Sequence, residues 1–206
     1  MVSANPSPPP PPPPPPITIQ TTSTKISVKT PSITLAETVP DSFLVNLLIY
    51  NGYPFKDHWA YFVQSHRNPN RGTKIHVTGS VRTGFTFEIK RNHNLQDTED
   101  IPTKVVPLAW VDGALFNGIG DSQDGQGEEV IEYVPVCGFE RALYKAPAPE
   151  KSLIDVLDES AQDVRVPRQR LVQKDCQTWI VESARRLVED GIFADEVVVF
   201  LTSLQQ

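Results

Sequence analysis

The sequence predicts an α+β domain: an antiparallel sheet of about four to six strands packed against a helix that starts at Cys176 and one or two shorter helices. Three observations predict it. Residues 58–90 hold short alternating runs separated by tight turns. Residues 176–189 carry one amphipathic helical stripe with a start signal and a stop signal. Residues 130–136 are rich in β-branched and aromatic side chains, which suit a pleated surface.

In chain order, residues 1–40 read as a disordered proline-rich leader and residues 41–206 as a single domain. Pro8 to Pro16 is an unbroken proline tract, extended because proline fixes φ and donates no hydrogen bond. It is either a docking site for a proline-binding module or a spacer. Residues 17–39 are Thr- and Ser-rich with weak alternation and read as mobile. From Asp41 the texture changes. Phe43, Leu44, Leu47 and Leu48 make a short helix or a buried strand, which Asn51-Gly52 and Pro54 end. In residues 58–63, His58, Ala60 and Phe62 alternate with Trp59, Tyr61 and Val63, so the strand is covered on both faces. Asn68-Pro69-Asn70-Arg71-Gly72 is a turn, residues 74–80 are a second strand, and Phe85, Phe87 and Ile89 mark a third.

Residues 92–102 and 117–127 read as polar loops, the Gly120 to Gly127 part mobile, around a strand at 105–111. The strand at 130–136 is ended, or confined to a sheet edge, by Pro135. Ala146-Pro147-Ala148-Pro149 is a stiff connector, and residues 152–157 are weakly helical. In the best helix Asp175 caps the start, Gly191 marks the stop, and Cys176, Trp179, Ile180, Ala184, Leu187 and Val188 trace one face. Residues 196–201 suit a strand or a buried helix.

Composition excludes several function classes. A net charge of −6 disfavours a phosphate-binding face, so no nucleic-acid partner is expected. Residues 1–20 lack the basic and apolar regions of a secretory signal, and no apolar run approaches the ~20 residues that span a bilayer. The expected location is cytoplasmic, with Cys137 and Cys176 as free thiols rather than a disulfide framework. No cofactor is expected. His58, His76 and Cys176 lack the short paired intervals of a zinc site, and Gly113, Gly118 and Gly120 lack the lysine and context of a phosphate loop.

With two cysteines and four histidines, a nucleophilic site can be searched exhaustively. Cys176 falls in the first turn of the predicted helix, where unpaired N–H groups and the helix dipole favour a thiolate and can stabilise an oxyanion. The charge of Asp175 opposes that thiolate unless capping engages it. His58 and His76 sit on adjacent predicted strands, within reach of a helix packed on them. The competing reading of Cys176 is a buried inert thiol, since it shares a face with Ile180 and Ala184. His58 can equally be a core histidine and His76 an exposed one. His66 and His93 read as loop residues and Cys137 as structural.

The pieces Asp57-His58-Trp59-Ala60-Tyr61-Phe62-Val63, Lys74-Ile75-His76-Val77 and Asp175-Cys176-Gln177-Thr178-Trp179, in that order, resemble the circularly permuted papain-like group, which includes lecithin–retinol acyltransferase-like proteins and permuted peptidases. The resemblance spans residues 44–90 and 168–193. It implies a permuted papain-like fold with His58 as general base, His76 as the group orienting it and Cys176 as nucleophile. The membrane acyltransferases carry a hydrophobic tail that this chain lacks, which points to a soluble small-molecule or peptide substrate. The expected function is therefore a cysteine-dependent hydrolase or acyl/amide transferase working through a thioester. The alternative is a non-catalytic accessory or binding protein with an inert thiol, of the kind found in fungal specialised-metabolite pathways.

Overall fold

In the computed structural model, residues 39–96, 101–119, 127–151 and 173–206 are described. The proline-rich leader, most of the Gly120 to Gly127 loop and the weak helix at 152–157 lie outside them. Six strands form one sheet: β1 Ser42–Tyr50, β2 His58–Gln64, β3 Arg71–Ser80, β4 Gly84–Asn94, β5 Lys104–Asp112 and β6 Val130–Glu132. Their order is β5-β1-β2-β3-β4-β6, every pair antiparallel. Among the described residues three α-helices accompany them, α1 Gly138–Tyr144, α2 Cys176–Glu189 and α3 Asp195–Leu204. The α+β class is thus as the pattern predicts.

Apolar alternation decides which face of the sheet is covered by helices. Trp59, Tyr61 and Val63 of β2, Ile75 and Val77 of β3, and Phe87 and Ile89 of β4 pack against Trp179, Ile180, Ala184 and Leu187 of α2. Each such side chain contributes about 1.5–3 kcal/mol on leaving water. The alternate residues Ala60 and Phe62 join Leu48 and Tyr50 in a smaller cluster on the other face. The run from Phe43 is a strand rather than a helix: β1 lies between β2 and β5, buried along nearly its whole length.

Two polar anchors fix α2 on the sheet. The Tyr61 hydroxyl donates to the Ile180 carbonyl at 2.8 Å, and the Trp179 indole N–H donates to the Ala146 carbonyl at 3.0 Å. At the helix start Asp175 Oδ1 accepts from the Thr178 N–H at 2.9 Å, and the Thr178 hydroxyl accepts from the Asp175 N–H at 3.3 Å, a reciprocal cap. At its end Gly191 takes φ 72°, a conformation glycine adopts without steric cost.

Two local expectations change, and the choice between strand and buried helix at residues 196–201 is resolved. His93 is not in a loop: β4 continues to Asn94, and His93 is buried with Nδ1 2.6 Å from Glu129 Oε2. The polar run 90–94 hides this strand because Lys90, Arg91 and His93 pair with carboxylates instead of packing as apolar residues. Residues 196–201 belong to α3, where Val197, Phe200 and Leu201 are buried at helical spacing and Asp195 and Glu196 sit in the favourable first turn. Only Val130–Glu132 of the segment 130–136 pairs, at the sheet edge; Tyr133 and Val134 are exposed and Pro135 follows.

Candidate active site

The α2 capping geometry places Cys176 as the first helical residue, against the start of β2. Its thiol is 4.0 Å from the Asp57 carbonyl on one side of His58, and the Trp59 N–H on the other side favours its thiolate form. The N–H groups of Cys176 and Gln177 also favour the thiolate. Gln177, fully buried, donates to the same Asp57 carbonyl at 2.9 Å and accepts from the Gln206 N–H at 2.9 Å. Asp57 is held further by Gln206, whose Oε1 accepts from its N–H at 2.9 Å, and by Gly52, whose N–H donates to its carboxylate at 3.2 Å.

At this end the strands part. The β2–β3 ladder runs from Tyr61↔Ile75 to Gln64↔Gly72 and does not include His58, Trp59 or Ala60, although β3 continues to Ser80. Side chains bridge the gap instead: His58 Nε2 lies 2.8 Å from His76 Nδ1, and His76 Nε2 lies 3.0 Å from Glu88 Oε1. Glu88 stands directly opposite His76 in the β3–β4 register. His58 is half-buried and its ring also meets Tyr50, at 5.9 Å between centroids, while His76 and Glu88 are buried.

Electrostatics divide the site. The hydrogen bond from His76 holds the Glu88 carboxyl below its ordinary range, so it is ionised at neutral pH. Burial lowers His76 and outweighs the opposing bond to Glu88, so the ring stays neutral. Burial pushes the Cys176 thiol up, and the Asp175 charge adds to this, outweighing the N–H groups of Trp59 and the first helical turn. Burial thus opposes the thiolate that the helix start favours. Asp175 is engaged, its second oxygen 3.0 Å from Lys56 Nζ.

Of the three site residues predicted from sequence, the structure joins His58 to His76 and brings Cys176 to the strand carrying His58. The thiol lies 4.0 Å from the Asp57 carbonyl, the residue before His58. His76 is buried rather than exposed. Glu88, Asp57 and Gln177 were missed. Cys137 is structural, as expected: fully buried, it caps α1 by accepting from the Glu140 N–H at 3.5 Å, and burial raises its thiol to about 11. Among the described residues no group of three or more His, Cys, Asp or Glu is placed to hold a metal ion, and no helix is long and apolar enough to cross a membrane.

A family model described as a family of unknown function (DUF6540) matches residues 45–194, which include β2, β3, β4 and all of α2. No curated protein and no solved structure matches the chain.

Proposed function

The chain belongs to this family of unknown function (DUF6540), and from its own site we propose that it is a cysteine-dependent hydrolase or acyl/amide transferase of permuted papain-like type, acting through a thioester on a soluble small-molecule or peptide substrate. Cys176 is the nucleophile, His58 the general base and His76 the residue that orients it. One observation carries the reading: the His58–His76 bridge spans the gap between β2 and β3 where the thiol lies 4.0 Å from the Asp57 carbonyl, the residue before His58.

The resting thiol is protonated, because burial raises it. His58 takes the proton as Sγ attacks the substrate carbonyl carbon. The carbonyl electron pair moves to oxygen, where the N–H groups of Cys176 and Gln177 are the available donors. The intermediate collapses as the amine or alcohol leaves with the proton from His58, and the thioester stays on Cys176. Water then gives hydrolysis, or a second amine or alcohol gives transfer.

The test is acetylation by p-nitrophenyl acetate, read by mass spectrometry of the peptides carrying Cys176 and Cys137. Folded wild type acetylates at Cys176 and not at Cys137. His58→Ala slows the reaction about a hundredfold, the size of a lost general base, without lowering the melting midpoint. His76→Ala has a smaller effect. Equal, slow labelling of Cys176 in all three proteins would refute the nucleophile.

The burial of Cys176, 8% exposed, favours a second reading, a non-catalytic accessory or binding protein. On that reading Cys176 reacts only after denaturation and His58 substitutions change stability alone.

A further inference from the structure

We propose that Glu88 is a positioning residue that fixes the tautomers of both histidines and so leaves the basic lone pair of His58 on Nδ1; this rests on the reading of Cys176 and His58 above. The argument is one of donors and acceptors. An ionised carboxylate only accepts, so the 3.0 Å contact between Glu88 Oε1 and His76 Nε2 requires the proton on Nε2 of His76. A neutral imidazole with its proton on Nε2 has its lone pair on Nδ1. The 2.8 Å contact from that atom to His58 Nε2 then requires His58 to donate, with its own proton on Nε2. The lone pair of His58 is thereby placed on Nδ1.

Burial makes the chain of bonds decisive. Glu88 and His76 are 9% and 5% exposed, so water competes poorly for either end. The pairing is built into the sheet, because His76 and Glu88 face each other across β3 and β4, with Lys74 opposite Lys90 two residues away. Those ammonium groups help to hold Glu88 ionised and His76 neutral. When Cys176 gives up its proton, it adds to Nδ1 of His58 and the electron pair stays on sulfur. The resulting imidazolium keeps its Nε2–H directed at His76, and Glu88 supplies the negative charge beyond. No proton has to travel along the relay. Glu88 touches no reacting atom and acts through His76.

The experiment is proton–nitrogen correlation spectroscopy of the full chain with ¹⁵N-labelled histidine at neutral pH, where the nitrogen shifts report which ring nitrogen is protonated. In the wild type both His58 and His76 show a protonated Nε2 and an unprotonated Nδ1. In Glu88→Gln, whose carboxamide can donate as well as accept, protonated Nδ1 appears in at least one ring, and acetylation of Cys176 slows about tenfold at unchanged melting midpoint. Protonated Nδ1 on either ring of the wild type overturns the proposal even if the variant fails to fold, as do spectra of a folded variant identical to the wild type. Correct tautomers with a Cys176 that is never acetylated would leave the relay standing and remove the nucleophile.

Discussion

Asp175 does two opposed things at once: its carboxylate caps α2, and its charge raises the thiol beside it. Asp175→Asn separates them. The amide oxygen still accepts from the Thr178 N–H, and the lost partner, Lys56, is half exposed, so folding stability changes by about 1 kcal/mol at most. The thiol loses a neighbouring negative charge, and the pH midpoint of Cys176 alkylation moves down. An upward movement would show that the Asp175 charge is not felt at the sulfur. Both thiols also impose a sign on the pH dependence of folding. Each is raised in the folded state, so the unfolded chain binds fewer protons above the ordinary value of 9.0; stability is full below that and falls as pH rises, for Cys137 towards about 11. At this scale the sequence was readable for position: His58 and His76 fall on successive strands and Cys176 at a helix start. Glu88 was within reach as well: in a hairpin turning between Ser80 and Gly84, position 76 falls opposite position 88. Asp57 and Gln177 were not, because their bond joins residues 120 positions apart.

One buried charge holds three elements together. Arg91 of β4 pairs with Glu132 of β6 and with Glu140 of α1, and Glu140 also accepts from the Val136 N–H at 2.8 Å. Glu140 is 1% exposed. Glu140→Ala leaves a buried guanidinium with one remaining carboxylate partner and costs about 3–5 kcal/mol, measured by denaturant unfolding. A loss below about 1 kcal/mol would mean that Arg91 finds water. The same pair explains what periodicity missed. Strands whose apolar residues alternate, such as β2 and the first half of β4, could be read directly. The second half of β4 is stabilised by ion pairs that only the folded sheet brings together, and it reads as a loop. α3 is ambiguous for another reason: three successive valines carry strand propensity, and only the packing of Val197, Phe200 and Leu201 selects the helix.

For the whole chain, the succession β2-β3-β4 follows sequence order and was legible, whereas β1 read equally as a helix. The return of β5 to the far side of β1 was not, since nothing local in residues 104–112 names its partner. The family match begins at residue 45, and large apolar side chains are few in residues 1–38. Deleting residues 1–38 should leave the melting midpoint within about a degree or two, and a drop of about 5 °C or more would assign part of the leader to the fold. The Tyr61–Ile180 bond has a consequence of its own. Cys176 lies four residues before Ile180, about 6 Å at helical rise, and Trp59 lies two residues before Tyr61, about 7 Å at strand rise. Two rulers of different pitch, zeroed at one hydrogen bond, thus coincide again at the thiol and the Trp59 N–H. One residue added between Cys176 and Ile180 would swing the sulfur about 100° around the helix, and one added between Trp59 and Tyr61 would turn the strand over. These two short intervals are the lengths on which the site depends.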